Sequence, residues 1–279
     1  MNRRKFIKKG GLTSLGICFL SALYSWKIEP FWLDFVRIKM PIKNLPEDLV
    51  GKHIMQISDI HVGNRFDWNY LIDSFKKAQK FNPDIVVYTG DYISYNDRQF
   101  EQLKIVMESA VIGKYGTVGV LGNHDYGKKW RQESVANTII KILDESGIKI
   151  LRNEQIEIKG LNIIGIDDLW GTNFHPEKAL SKLDIRKANL VLCHNPDVCD
   201  LNVWKNYNSW ILSGHTHGGQ VKPPFLPPPI LPVKNKTYRA GKINLSKQRT
   251  LYINRALGHL WQIRFNVRPE ITIFELKRE

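Results

Sequence analysis

The sequence has 279 residues, of which 43% are hydrophobic and 24% are charged, and these proportions exclude a disordered or fibrous chain. The length is sufficient to bury a large core without disulfide or metal staples. Lysine and arginine outnumber aspartate and glutamate by 41 to 27, which gives a formal net charge of +14. This charge favours anionic partners. Nucleic acid is disfavoured among them, because most of the basic residues are scattered singly along the sequence.

The amino terminus combines a basic head with an apolar stretch. Arg3 and Arg4 are followed by a lysine and a bulky apolar pair, a pattern that resembles the twin-arginine export signal. Residues 10–26 contain no lysine, arginine, aspartate or glutamate, but they are at the short limit for spanning a bilayer. No clean cleavage site follows, so the sequence favours an uncleaved membrane anchor over a cleaved signal.

We therefore divide the chain into a signal or anchor region with its connector, residues 1–39, and a main domain, residues 40–279. We expect the main domain to be exported and to face the cell envelope. Its placement on the cytoplasmic face is the alternative, because Lys27 and Arg37 dilute the charge asymmetry that sets topology. The aromatic residues between Ile28 and Val36 fit either a contact with the membrane interface or a packed connector.

From about residue 40 onward, short runs rich in Val and Ile alternate with segments of helical periodicity, which predicts an α/β fold. We predict strands at His53 to Ser58, Asp84 to Tyr88, Thr117 to Leu121, Leu190 to Cys193, Trp210 to Leu212, Leu251 to Ile253 and Ile271 to Leu276. We predict helices at Trp68 to Phe81, Arg98 to Ile112 and Glu133 to Ser146. Two alternating runs, Gln155 to Ile158 and Asn162 to Ile166, predict a hairpin.

The segment from Lys222 to Lys236 contains six prolines. Proline lacks a backbone donor and cannot sit in a central strand, so the segment is predicted to be a stiff surface loop. Its apolar residues, among them Phe225 and Ile230, would allow it to cover a binding site or touch a lipid. A rigid connector packed on the core is the interpretation that we favour.

Polar residues interrupt the chain just after five of the predicted strands. These blocks are Asp59-Ile60-His61, Gly90-Asp91, Gly122-Asn123-His124-Asp125, His194 and Gly214-His215-Thr216-His217. Ligand sites in α/β sheets gather at the carboxyl ends of strands, so five loops are expected to converge on one place. Their mixed oxygen and nitrogen ligands suit Mn, Fe, Zn or Co better than Mg or Ca.

The five ordered blocks resemble the pattern of the calcineurin-type metallophosphoesterases. The resemblance implies a four-layer sandwich, in which two mixed β-sheets lie between helices. It also implies two divalent metal ions. Asp59, His61 and His217 would hold one ion, Asn123, His194 and His215 would hold the other, and Asp91 would bridge both.

In this family a metal-activated hydroxide attacks the phosphorus of a phosphate ester or pyrophosphate. The resemblance assigns His124 to the stabilisation of developing charge or to protonation of the leaving group. Arg255 and Arg268 are candidate phosphate clamps, because a guanidinium binds phosphate bidentately. An ordinary surface or edge position is the alternative for both arginines, and the role of Asp125 stays open.

The segment Gly214 to Gln220 followed by the proline-rich loop resembles a membrane-associated bacterial subgroup. Some members act on the pyrophosphate of UDP-2,3-diacylglucosamine in lipid A synthesis, so we expect a phosphoester substrate, with a lipid-linked phosphoester as one candidate. Membrane contact is expected through the amino-terminal segment, and no protein partner is inferred. The alternatives are an exported phosphodiesterase of envelope polymers or phospholipids, and a non-catalytic metal-binding module on the same fold.

Overall fold

A computed structural model describes residues 3–63, 67–94, 99–245 and 248–279. The helices are α1 (Arg3–Lys27), α2 (Asn69–Gln79), α3 (Phe100–Met107), α4 (Glu133–Glu145) and α5 (Pro176–Ala179). The strands are β1 (Asp34–Ile42), β2 (His53–Ile57), β3 (Ile85–Thr89), β4 (Gly116–Val120), β5 (Lys149–Ile150), β6 (Glu154–Ile158), β7 (Leu161–Gly165), β8 (Ala188–Leu192), β9 (Trp210–Ser213), β10 (Gly241–Asn244), β11 (Thr250–Ile253) and β12 (Glu270–Arg278).

Within the described residues these strands form two mixed sheets of six strands each. The first sheet has the order β1-β12-β2-β3-β4-β5, and the second has the order β10-β11-β9-β8-β7-β6. The central strands β2, β3 and β4 run parallel in the first sheet, and β7, β8, β9 and β11 run parallel in the second. The parallel strands of each sheet therefore present their carboxyl ends along a common edge.

The alternation of side chains along each strand builds the layers. On β3, Ile85 and Val87 belong to the apolar cluster between the two sheets, whereas Val86 and Tyr88 belong to the cluster under the helices. All four are at most 1% exposed. Full burial of such a side chain stabilises the fold by roughly 1.5–3 kcal/mol, which explains why strands buried on both faces are apolar throughout.

Helices α2, α3 and α4 cover the outer face of the first sheet. Leu71, Phe75 and Ala78 of α2 are fully buried against it, and their spacing places them on one face of the helix. The outer face of the second sheet is covered more thinly, by α5 and irregular segments that include Trp204 and Tyr238. Two mixed sheets flanked by helices confirm the predicted fold class.

The predicted elements agree with the structure apart from their ends and three omissions, one of which is the single-turn helix α5. The hairpin is β6 paired with β7 in an antiparallel register. The helix predicted from Arg98 is observed as α3 from Phe100, and Arg98 itself lies outside the described residues. Strands β1 and β10 were not predicted. Both are edge strands whose charged and polar side chains point to solvent, so neither forms an apolar run.

Strand β1 pairs in parallel with β12 over nine residues, from Asp34 with Glu270 to Ile42 with Arg278. The predicted division between residues 39 and 40 therefore falls inside a strand of the first sheet. The division into a leader and a main domain stays a prediction.

Helix α1 carries the apolar stretch of the amino terminus, and large apolar residues along it, such as Leu12, Leu15 and Phe19, are well exposed. Within the part of the chain that the structure describes, none of the helices combines enough length with enough apolar character to cross a bilayer.

Candidate metal centre

Five loops that follow β2, β3, β4, β8 and β9 meet at the carboxyl edge of the two sheets, as the sequence pattern predicted. They bring together the seven candidate ligands Asp59, His61, Asp91, Asn123, His194, His215 and His217, all of them buried. The described residues contain two groups whose ligand atoms lie within 4.8 Å of one another. The first group is Asp59, His61 and His217, and the second is Asp91, His194 and His215.

Asp91 lies between the two groups. Its Oδ2 is 3.5 Å from Nε2 of His61 in the first group and 3.2 Å from Nε2 of His194 in the second. Its Oδ1 accepts a hydrogen bond from the backbone N–H of His124 at 2.9 Å. One carboxylate oxygen is thus shared by both groups, which is the position that the predicted bridging ligand requires.

Hydrogen bonds to the protein backbone fix which nitrogen faces the centre in the imidazoles of His194 and His215. Nδ1 of His194 donates to the carbonyl oxygen of Thr89 at 2.7 Å, and Nε2 of His215 donates to that of Pro232 at 2.8 Å. The remaining nitrogens, His194 Nε2 and His215 Nδ1, face each other at 3.1 Å. Backbone acceptors that orient ligand imidazoles in this way are typical of metal sites.

The first group shows the same convergence. Nε2 of His61 and Nε2 of His217 are 3.0 Å apart, and Nε2 of His217 is 3.3 Å from Oδ1 of Asp59. Asn123 lines the same cavity as the two groups, and its Oδ1 is buried without a hydrogen-bond partner. Buried polar atoms are normally satisfied, and this one lies beside the candidate ligands, so the donor set fits two divalent cations.

The electrostatics of the site favour ionised carboxylates and added positive charge. Burial alone would raise the pKa of Asp59, but the nearby His194 and His217 lower it to about 2. Burial lowers the pKa of His61 and of His215 to about 3, so both imidazoles are neutral. His194 lies against Asp91 and Asp59, which outweigh its burial and hold its pKa well above the usual range.

Neutral imidazoles and ionised carboxylates are the protonation states that bind metals. The carboxylates of Asp91 and Asp59 raise the pKa of His194, and a cation beside Asp91 would replace the proton at Nε2.

The backbone of these loops is held in conformations that side chains rarely adopt. Asp59, His61, Asp91, His215 and His217 all have φ between 47° and 71°, at a cost of roughly 1–3 kcal/mol each. The glycines of the blocks allow close approach. A β-carbon at Gly90 would lie 2.5 Å from the backbone nitrogen of Gly122, and one at Gly214 would lie 2.1 Å from Oδ2 of Asp59.

Asp125, whose role the sequence left open, organises two of these loops. Its carboxylate accepts hydrogen bonds from the backbone N–H groups of Gly122, Asp91 and Tyr92 at 2.8–2.9 Å. It therefore ties the loop after β4 to the loop after β3, and it positions Asp91. Nδ1 of His124 contacts the carbonyl oxygen of Ser94.

The centre lies at the floor of a cavity of about 690 Å³. His61, Asp91, Asn123, His124, His215 and His217 line the floor. The walls are largely apolar: Trp130, Trp170, Pro229, Ile230, Pro232, Leu260, Trp261 and Ile263. We had favoured the interpretation of the proline-rich loop as a connector packed on the core. The structure shows that the loop also forms part of the cavity wall.

Arg255 and Arg268 do not line this cavity. Arg255 pairs with Glu270 and donates to Asp34 at 3.0 Å. Arg268 donates to the carbonyl oxygens of Trp32 and Leu33 at 3.0 Å, and its guanidinium lies 4.3 Å from the centre of the Trp32 ring. Both arginines hold the segment that leads into β1, and the structure does not bring them to the candidate ligands.

Sequence reasoning missed three residues of the site. Trp170 packs edge-on against the ring of His215 at 4.6 Å and stacks on Trp130 at 4.8 Å. These tryptophans lie in irregular segments, where periodicity carries no signal.

Asp168 is 1% exposed, and burial raises its pKa to about 7. Because it follows β7, the rule that polar residues after strands form the site would have found it.

Comparisons with known proteins agree with this geometry. The model of the calcineurin-like phosphoesterase family matches residues 52–219. An uncharacterized metallophosphoesterase of Bacillus subtilis (strain 168), YkuE, is 30% identical over 99% of this chain and 98% of its own length.

The phosphodiesterase YaeI of Escherichia coli (strain K12) is 28% identical over 99% of each chain. The UDP-2,3-diacylglucosamine pyrophosphatase LpxG of Chlamydia muridarum (strain MoPn / Nigg) is 24% identical over 96% of this chain and 98% of its own length. The chain is an enzyme that belongs to the calcineurin-like phosphoesterase family.

Proposed function

We propose that the enzyme hydrolyses a phosphodiester or pyrophosphate bond in a lipid-linked substrate such as UDP-2,3-diacylglucosamine. The observation that carries this proposal is the shared carboxylate of Asp91 between two groups of buried ligands at the floor of an apolar-walled cavity. The resemblance to a phosphodiesterase and to a UDP-2,3-diacylglucosamine pyrophosphatase supports the same reaction class.

Bound in these groups, two divalent cations would polarise the phosphoryl oxygens and supply a hydrolytic water at neutral pH. Asp59, His61 and His217 would hold one cation, Asn123, His194 and His215 would hold the other, and Asp91 would contact both. The donor set fits Mn, Fe, Zn or Co. Asp125 keeps Asp91 in place through the backbone.

His124 is proposed as the proton donor to the leaving group. Its ring is half-buried, lines the cavity and lies 5.0 Å from the ring of His61. Its Nδ1 is directed to the carbonyl oxygen of Ser94, which fixes the orientation of the ring.

Replacement of His124 by alanine should lower kcat for a nitrophenyl phosphodiester by roughly a hundredfold or more, because a positioned proton donor is lost. Metal content, measured by elemental analysis of the purified protein, should not change. His175→Ala, at an exposed histidine outside the cavity lining, is the matched control. Loss of metal in His124→Ala would make this residue a structural support of the centre instead.

The function itself is tested by incubating Mn-loaded enzyme with a nitrophenyl monoester, a nitrophenyl diester and UDP-2,3-diacylglucosamine. We expect cleavage of the diester and the lipid nucleotide, with the higher kcat/KM for the lipid nucleotide because the apolar walls bind its acyl chains. Cleavage of the monoester alone would contradict the proposal. Retained metal with no cleavage of any phosphoester would indicate a non-catalytic module.

The alternative substrate is an envelope phosphodiester, such as a teichoic acid or a phospholipid. An envelope phosphodiester is favoured if the catalytic domain faces outward beside an amino-terminal anchor, because the lipid nucleotide is located on the cytoplasmic side of the membrane. Protease digestion of intact spheroplasts separates the two, because only an outward-facing domain would be degraded.

A further inference from the structure

Hydrogen bonds join two segments beside the cavity, namely residues 260–265 and the start of the proline-rich loop. The rim segment (residues 260–265) contributes Leu260, Trp261 and Ile263 to the cavity wall. Gln220 Nε2 donates to the carbonyl oxygens of Trp261 and Ile263 at 3.2 and 3.0 Å. The backbone N–H of Lys222 donates to the carbonyl oxygen of Phe265 at 2.9 Å. The start of the proline-rich loop is therefore fixed against the rim segment.

The last turn of α1 is bonded to the same rim segment. The side chain of Gln262 donates to the carbonyl oxygen of Trp26 at 3.0 Å, and the backbone N–H of Arg264 donates to that of Ser25 at 2.9 Å. The end of α1, the rim segment and the proline-rich loop thus form one continuous face around the cavity mouth. We call it the mouth face.

Large apolar side chains project from this face into solvent. Phe225 is fully exposed, Ile230 is 76% exposed, Trp261 is 64% exposed and Leu226 is 60% exposed. Trp26 at the end of α1 is 51% exposed. Several large apolar residues that are exposed on linked segments mark an interaction surface, whereas single exposed residues do not.

The same part of the chain is strongly basic. Residues 201–269 contain eleven lysines and arginines and no aspartate or glutamate. Among those that the structure describes, six are exposed: Lys205, Lys222, Lys234, Lys236, Arg239 and Lys242. Three of these, Lys222, Lys234 and Lys236, belong to the proline-rich loop that carries Phe225 and Leu226.

We infer that the mouth face docks on an anionic lipid bilayer, with the tip of the proline-rich loop and the rim segment inserted at the headgroup level. Apolar and aromatic tips enter the interface, and the exposed Lys222 and Lys234 of the proline-rich loop bind anionic headgroups. The cavity then opens at the lipid surface, so an amphiphilic substrate reaches the candidate metal centre without leaving the bilayer.

Two other occupants fit the face less well. A second copy of the chain would bring like charges together. A nucleic acid would match the charge and could stack on the exposed rings, but it would leave the aliphatic tips Leu226 and Ile230 in water. A bilayer satisfies both the charge and the apolar tips.

The test uses the full-length chain with Cys18 replaced by serine, in which Cys193 and Cys199 remain buried. An environment-sensitive fluorophore is attached at Phe225→Cys, at Trp261→Cys and, as a matched control, at Ile105→Cys. Ile105 is 44% exposed on α3, and it does not line the cavity. Because the label reports its own surroundings, binding through α1 alone does not mimic the expected signal.

Vesicles of phosphatidylcholine and phosphatidylglycerol should shift the emission of the labels at 225 and 261 to shorter wavelength, with no shift at 105. Vesicles of phosphatidylcholine alone, or high salt, should weaken the response several-fold. An unshifted label at 225, or equal shifts at 225 and 105, overturns the inference. The inference is also overturned if raised protein concentration, or duplex DNA, shifts the emission of the labels in the absence of vesicles.

The inference is independent of hydrolysis, because the labels are read on metal-free protein. Phe225→Glu and Leu226→Glu, which lie outside the cavity lining, should weaken vesicle binding about tenfold and leave cleavage of the soluble nitrophenyl diester unchanged. If the mouth face binds vesicles but the protein has no phosphoesterase activity, only the proposed function is contradicted. If the protein is active but the mouth face does not bind vesicles, only this inference is contradicted.

Discussion

Replacement of Asp91 by asparagine should lower kcat for the nitrophenyl diester by at least about a thousandfold, the largest effect on activity that we expect from one substitution. Oδ2 of Asp91 lies within 3.5 Å of a histidine from each ligand group. Asparagine keeps the size of the side chain but removes its negative charge, so the two proposed cations would lose their shared carboxylate.

The measurement is steady-state kinetics on Mn-loaded protein, together with the metal content of the same samples. Asp73→Asn, an exposed carboxylate on α2, serves as the control for the charge change. We expect normal turnover in the control. If Asp91→Asn kept both metals and more than a tenth of the turnover, Asp91 would not bridge the centre.

Replacement of Arg264 by methionine should lower the free energy of unfolding by about 3 to 5 kcal/mol. Arg264 is fully buried. Its guanidinium donates to the carbonyl oxygens of Gly258, Arg255, Ala256 and Val267 at 2.7–3.2 Å. Burial lowers the pKa of Arg264 to about 10, so it is charged at neutral pH. Methionine would remove the donor from the carbonyl oxygens of Gly258, Arg255 and Val267, whereas that of Ala256 would keep its hydrogen bond from the backbone N–H of Glu270.

Urea denaturation followed by circular dichroism measures this change. Arg186→Met is the control, because the side chain of Arg186 is 87% exposed and its ion pair with Asp184 should contribute little. An equal, small change in both variants would show that the segment between β11 and β12 does not depend on Arg264.

The fold and most of the candidate site follow from the sequence because two short-range rules act together. Runs of Val and Ile define strands that are buried on both faces, and polar residues at the ends of those strands meet at one edge of the sheets. The blocks at Asp59, Asp91 and His194 obey both rules, and the structure brings them together.

The rest depends on tertiary contacts that no local pattern specifies. An arginine that binds phosphate and one that binds a carboxylate look alike in sequence, and Arg255 proves to pair with Glu270. Asp125 acts through backbone groups more than thirty residues away, at Asp91 and Tyr92. Strand β1 carries Arg37 and Lys39 on an exposed edge, so it lacks the apolar run that identified the other strands.

We propose that two cations bind between the buried side chains at the strand ends. Crystals of the Mn-loaded enzyme, measured at the manganese absorption edge, test it most directly. Two anomalous peaks roughly 3.5 to 4 Å apart are predicted, one beside Asp59, His61 and His217 and the other beside Asn123, His194 and His215, with Asp91 between them. A single peak, or peaks away from these residues, would contradict the account.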